Sequence, residues 1–458
     1  MEPPSVEIRW SDYCDVVTAS QPITPEGRVE KVVGLVVEGH GPGMSIGSIC
    51  SIHNDGGVEV PAEVVGFNDN KIVLMPFGEM RGINPGSRIS VRGDRPYVSV
   101  GDGYIGRVVD GLGSPIDDLG PIAATSSYPL YSKAINPMTR CPIREVADVG
   151  VRAINALITI GKGQRVAIMS GSGVGKSVLM GMIARHTRAD VTVIGLIGER
   201  GREVREFIEK DLGKEGLKKS VVVAATSDSP PLIRMRGAYL ATTLAEYFRD
   251  QRLDVLLIMD SITRFAMSSR DVGLAAGEPP TAKGYTPSFF SQLPKLLERA
   301  GTVEGKGSIT GIYTVLVEGD DMNEPVADAV RSIVDGHIVL SRKLANQGHY
   351  PAIDVLDSVS RVMRDVVASE HMEYYKKVID IMATYRDAED LITIGAYVDG
   401  SNPRIDYAKK MIDKINFFLR QDIPKKVLLE TSVDSLIGLL KEGGREIAVG
   451  GISEKVSF

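Results

Sequence analysis

Arg165-Val166-Ala167-Ile168-Met169-Ser170-Gly171-Ser172-Gly173-Val174-Gly175-Lys176-Ser177 is the stretch that decides the fold of this chain. Arg165 to Met169 reads as a strand, and Val178 to Arg188, beyond the loop, reads as a helix. Strand, glycine-rich loop, Lys-Ser and helix form the layout of a phosphate-binding P-loop. Gly171, Ser172, Gly173, Val174 and Gly175 would wrap backbone N–H groups around nucleotide phosphates, and the helix opened by Val178 would add the positive end of its dipole. Lys176 would neutralise phosphate charge, and the Ser177 hydroxyl would face a magnesium ion. Ser170 stands where the pattern has its first glycine. Taken alone, the octet leaves open a Gly/Ser-rich turn that merely precedes a helix.

Working outward, 458 residues exceed one typical core, so two or three domains are expected. With 43% hydrophobic and 24% charged residues the chain has an ordinary globular composition. A net charge of −6, one tryptophan and 6% aromatics argue against a nucleic-acid-binding surface. Cys14, Cys50 and Cys141 are far apart and form no CxxC pair, which fits reduced thiols in the cytoplasm. No apolar run approaches the roughly 20 residues a membrane helix requires. Glu2, Pro3, Pro4 and Glu7 are unlike a signal peptide, so a soluble cytoplasmic protein is expected.

The organisation predicts a multidomain α/β protein. Residues 29–37, 59–65 and 71–75 read as short strands parted by turns at Gly41-Pro42-Gly43, Asn54 to Gly57 and Asn68 to Asn70, the rhythm of a small β-barrel. Pro-rich irregular sequence follows as far as Pro142. Strand candidates at 165–169, 191–197, 221–225, 255–259, 309–317 and 337–340 then alternate with helical patterns, predicting a mostly parallel sheet. Helices are expected at 372–384, 405–421 and 432–441. The domains are accordingly read as 1–95 (N-terminal segment and barrel), 96–369 (nucleotide-binding α/β domain) and 370–458 (C-terminal helical domain).

Two acidic residues have positions suited to the P-loop. Asp260 ends the apolar run Val255 to Met259, where a P-loop ATPase holds the water shell of Mg²⁺; the alternative is a helix cap before Ser261. Glu199 ends another buried run, at the carboxyl edge where ligands collect in parallel sheets. It could orient the attacking water or simply pair with Arg200 on the surface. The six histidines show no metal-binding spacing.

Five motifs in one order make the reading specific: Ser170 to Ser177, Gly195 to Arg202, Leu256 to Phe265, Gly277 to Pro287, and Tyr350 to Arg361. Together they resemble the catalytic subunits of the rotary ATPase superfamily, and the likeness runs from about residue 28 to beyond 400. Gly-Ser-Gly-Val-Gly-Lys-Ser, Glu318 to Pro325 and Asp335 to Arg342 look more like the flagellar and type III export ATPases than the ATP synthase beta subunit. The barrel segments Glu63 to Phe67, Leu74 to Pro76 and Gly82-Ile83 resemble the flagellum-specific member.

The resemblance implies a RecA-like central domain that hydrolyses ATP with Mg²⁺. It implies that Lys176 and Ser177 hold phosphate and metal, with Asp260 acting on the metal through water. Glu199 matches the catalytic carboxylate, where non-catalytic synthase subunits carry glutamine, and a carboxylate accepts proton density where an amide cannot. Arg200 and Arg264 match arginines facing the γ-phosphate, and Tyr350 matches the aromatic that stacks on adenine. Arg361, on its own only an arginine after Ser-Val-Ser, matches the finger that enters a neighbour's site, implying a homohexameric ring. Asp320, Asp321 and Glu324 fall in a loop like the one touching the central stalk. Stalk and regulator proteins (the latter through residues 1–27), export chaperones and cargo, and peripheral contact with the membrane export gate are the partners implied. A virulence secretion ATPase, a synthase subunit, an RNA translocase and a non-catalytic scaffold are the competing classes.

Overall fold

The computed structural model describes residues 10, 13, 14, 26–41, 43–93, 96–317, 319 and 321–449, with side chains as far as 441. The chain forms two compact units. One holds the described residues up to Pro96 together with Leu274–Glu278, and the other holds Tyr97–Gly273 and the residues from Pro279 onward.

The first unit is a closed barrel of strands β1 (Glu26–Val33), β2 (Val36–His40), β3 (Ile49–His53), β4 (Glu59–Asn68), β5 (Lys71–Pro76) and β6 (Arg88–Gly93). Its strand order is β1-β2-β5-β4-β3-β6. Val29, Val37, Ile52, Val64, Leu74 and Ile89 alternate inward and fill it. The run 29–37, expected as one strand, is a hairpin instead. Gly34 takes the left-handed φ of 56°, so the chain reverses and Val33 pairs with Val36. β3 and β6, unforeseen in the sequence, close the barrel through β3–β6 and β1–β6 pairing.

The second unit is built on β8 (Val108–Asp110), β10 (Arg165–Ser170), β11 (Val191–Ile197), β12 (Ser220–Ala225), β13 (Asp254–Asp260), β14 (Gly301–Thr302), β15 (Ser308–Leu316), β16 (Gly336–Leu340) and β17 (Ile353–Ser360). They form a 9-stranded sheet ordered β17-β16-β10-β15-β13-β11-β12-β8, with β14 beside β15. Only the β16–β17 and β14–β15 pairs are antiparallel. Every residue of β11 and β12 is buried, the signature of strands covered on both faces. β7 (Tyr97–Val100) and β9 (Ser126–Pro129) form a separate antiparallel pair in the stretch read as irregular.

All six strands expected between 165 and 340 are present, and so are the three C-terminal helices: Ser369–Thr393 and Leu429–Val449 are longer than expected, and Pro403–Leu419 starts and ends two residues earlier than expected. Val378, Met411, Ile415 and Leu436 from these helices share one core with Leu179 and Ile183 of the helix after the P-loop. The C-terminal helices therefore brace the helix that follows the P-loop. Among the described residues no helix is long and apolar enough to cross a membrane.

Candidate active site

The P-loop follows β10, which lies between β15 and β16. Gly173 and Gly175 take φ of 77° and 90°, and Gly175 caps the helix Lys176–His186. Ser170 is the last residue of the strand, and its φ is not left-handed. No glycine is required there, which accounts for the variant. The Ser170 carbonyl accepts from the Val317 N–H at 2.9 Å, tying the loop to the end of β15. Gly171 and Val174 are buried, whereas Ser172, Gly173 and Ser177 are exposed and Val178 is half-buried.

Parallel pairing of β11 with β13 puts Leu196 level with Asp260, so both carboxyl ends open beside the P-loop. The Lys176 ammonium lies 2.5 Å from Asp260 Oδ1 and 3.6 Å from Glu199 Oε1. Asp260 is 3% exposed and also accepts a 2.5 Å hydrogen bond from the Thr314 hydroxyl. Among the described residues the buried Glu199 Oε1 has no hydrogen-bond partner. Burial raises the Glu199 carboxyl, the Asp260 charge adds to the rise, Lys176 opposes it, and the group is pushed up to about 7. Two carboxylates thus face one lysine, with an unpartnered buried oxygen. With the exposed Ser177 beside Lys176 in the first turn of the helix, this all-oxygen donor set fits a hydrated Mg²⁺.

Gly198, at φ 73°, lets Arg264 pack close: a Cβ there would come within 2.7 Å of the Arg264 Cβ. Among the described residues the buried Arg264 Nε has no hydrogen-bond partner and its Nη1 donates to the Met267 sulfur at 3.4 Å, which leaves donor capacity for an anion. Arg200 differs from Arg264: it is exposed and pairs with Glu203 one helical turn on, at 3.2 Å.

Tyr350 is 47% exposed, and its ring lies 3.4 Å from the Cβ position of Gly175, on the loop itself. It opens a cavity of about 1090 Å³ lined also by Gly173, Val178, Phe417 and Gln421, large enough for a nucleoside. Phe417 was missed by sequence reasoning. It lies within a helical run that reads as core, yet it is 78% exposed, and only packing of that helix brings it to the cavity. Thr314 was missed likewise, as one of three Ser/Thr residues in a mostly apolar strand.

Arg361 is not brought to this site. β17 runs antiparallel, so Ser360 pairs with Gly336 at the far end of β16, while Leu340 pairs with Ser170 at the P-loop. The exposed Arg361 lies beside Arg331, whose carbonyl accepts its Nη2 at 3.4 Å. In the acidic loop, Asp321 accepts from the Asn323 N–H at 3.0 Å and Glu324 caps the helix Pro325–Ile333. Asp320, Glu318 and most of residues 1–27 lie outside the described residues.

Comparison with known proteins agrees with this fold. The profile of the ATP synthase alpha/beta family nucleotide-binding domain matches residues 150–360, and that family's beta-barrel domain matches 29–93. The T3SS EscN ATPase C-terminal domain matches 367–438. The chain is 54% identical to the flagellum-specific ATP synthase of Bacillus subtilis, over 90% of this chain and 94% of that one. The assembled EscN ATPase of the enteropathogenic E. coli type III secretion system superposes with a TM-score of 0.86 at 45% identity, covering 90% of this chain and 100% of EscN. EscN in complex with its central stalk EscO gives 0.84 at 44%, with the same coverage. The chain is therefore an ATPase of the ATP synthase alpha/beta family, in the branch of the flagellum-specific and type III secretion ATPases.

Proposed function

We propose that this chain is the Mg²⁺-dependent ATP hydrolase of a flagellar type III protein export apparatus, coupling hydrolysis to chaperone release, unfolding and export of flagellar proteins. The observation that carries hydrolysis, as opposed to binding, is Glu199: a buried carboxylate with an unpartnered oxygen, 3.6 Å from the P-loop lysine. Its raised affinity for protons suits a group that orients and polarises water.

In this reading the N–H groups of Gly171 to Gly175 cradle the phosphates while Lys176 moves from Asp260 to the γ-phosphate. Tyr350 and Phe417 take the base. Ser177 and Asp260 would hold Mg²⁺, the latter through water, and the ion when bound would offset phosphate charge. Arg264 faces the γ-phosphate with its unpartnered Nε, and Arg200 stands at the rim. Arg361 serves the neighbouring site in a homohexameric ring, as the assembled EscN relative supports. The loop holding Asp321 and Glu324 faces a stalk, by analogy with EscN and EscO. Regulator, chaperones, cargo, cytoplasmic location and peripheral contact with the membrane gate complete the proposal, which includes no nucleic acid.

Glu199→Gln tests it. Nucleotide binding, followed with a fluorescent ADP analogue, should stay near wild type while turnover falls by about 10²–10⁴-fold; near-normal hydrolysis would remove Glu199 from catalysis. A virulence secretion ATPase is the second reading, favoured by the EscN-type C-terminal domain. The higher identity to the flagellar relative, 54% against 45% for EscN, supports the flagellar assignment.

A further inference from the structure

We propose that Thr314 is a positioning residue for the Asp260 carboxylate: its buried hydroxyl holds Oδ1, so that the carboxylate keeps its orientation when Lys176 turns to the nucleotide. This rests on the reading of Asp260 as the residue that acts on magnesium. β13 and β15 pair in parallel with Met259 opposite Tyr313, which makes Asp260 and Thr314 neighbours across the sheet. Thr314 is 0% exposed, and its Oγ1 lies 2.5 Å from Asp260 Oδ1 but 3.4 Å from the Met259 carbonyl, so the proton goes to the carboxylate. Lys176 holds the same oxygen at 2.5 Å. A carboxylate at 3% exposure is costly to leave unpaired, and the lysine is the partner that phosphate would draw away. Thr314 alone among these two donors cannot be drawn off, because it is a short, fully buried side chain fixed on β15 two residues before the strand ends.

A neutral donor suits that task. It satisfies one carboxylate oxygen without adding positive charge that would compete with a cation. The strand end carrying Thr314 is itself pinned twice. The Leu316 N–H donates to Thr263 Oγ1 at 2.8 Å, and the Val317 N–H donates to the Ser170 carbonyl at 2.9 Å. Thr263 follows Asp260 on the same segment, and Ser170 begins the P-loop. Residues 314–317 therefore link the carboxylate to the phosphate cradle.

The test is binding of a fluorescent ADP analogue to the full chain, with Mg²⁺ and in EDTA, alongside ATP turnover. Thr314→Val keeps the β-branched shape and removes the hydroxyl. It should bind in EDTA within about twofold of wild type, lose most of the Mg²⁺-dependent gain in affinity, and fall about 10- to 100-fold in kcat, the scale of one hydrogen bond to a charged group. Thr314→Ser should restore both. A full Mg²⁺ gain in Thr314→Val, an equal loss with and without Mg²⁺, or a serine variant that behaves like valine would each overturn the assignment. Asp260→Asn separates the two ideas. If it loses the gain while Thr314→Val keeps it, only the Thr314 role fails; if Asp260→Asn itself keeps the gain, the reading of Asp260 fails.

Discussion

If Arg361 completes a neighbour's site, two different inactive chains should make active rings together. The geometry excludes action within one chain. From the level of Gly336, where β17 ends, to that of Leu340 beside the P-loop is four residue steps, about 13 Å. From β17 across β16, β10, β15 and β13 to β11, which carries Glu199, is five strand spacings, about 24 Å. The combined separation of about 27 Å is several times what an arginine side chain spans. Arg361→Ala alone should lose about 10³-fold or more in turnover, the scale of arginine fingers, and Glu199→Gln alone should be comparably inactive. In rings assembled at random from equal amounts, an Arg361→Ala chain keeps Glu199 and a Glu199→Gln chain keeps its finger. About one interface in four then joins an intact carboxylate to an intact finger, so turnover should recover toward about a quarter of wild type. The assay is steady-state phosphate release from rings co-expressed with two tags and purified through both. Turnover no higher than that of the parents would refute sharing of the site through Arg361.

Tyr350→Ala should raise KM by about 10- to 100-fold with kcat little changed, and to a similar degree for ATP and GTP, because stacking is indifferent to the base; steady-state kinetics with both nucleotides checks it. His371 is 4% exposed, bonded to the Ala156 carbonyl at 2.7 Å, and held by burial below the usual histidine range. The unfolded chain then binds more protons, so the stability due to this neutral ring is fully present above about pH 6.5 and is lost as pH falls below that. Melting temperature should drop between pH 7 and 5.5, and His371→Gln should flatten that slope in part, since His186, His337 and His349 are depressed by burial too.

How much of this was legible depended on whether the signal was local. β10, β11 and β13 are continuous apolar runs, and a strand buried on both faces announces itself that way. The P-loop is equally local, since Gly173 and Gly175 answer backbone demands within eight residues. β17 was not foreseen, because Ile353 to Ser360 alternates aspartate and serine with valine at a sheet edge and follows a proline. Its direction, which decides where Arg361 lies, comes only from pairing with β16. Thr314 and Phe417 carry no pattern at all. One is a threonine in a strand and the other an aromatic in a helix; their neighbours arrive from residues 54 and 67 positions away, Asp260 and Tyr350. The roles of Tyr350 and Arg361 came from family likeness, not from their surroundings in sequence.

The separation of Glu199 from Arg361 also constrains how copies can associate. The carboxylate lies toward the β12–β8 side of the sheet, and Arg361 follows the opposite edge strand. A two-fold symmetric contact brings like surfaces together. Along the β17 edge it would set finger against finger, leaving both sites without an arginine. A head-to-tail contact instead joins the finger edge of one copy to the site of the next, and such contacts either close into a ring or grow without end. In an open filament one terminal site always lacks a finger and one terminal finger serves no site. Closure repairs both ends at once, so a ring follows from sharing the site, and the mixed-ring assay tests the premise on which that closure depends.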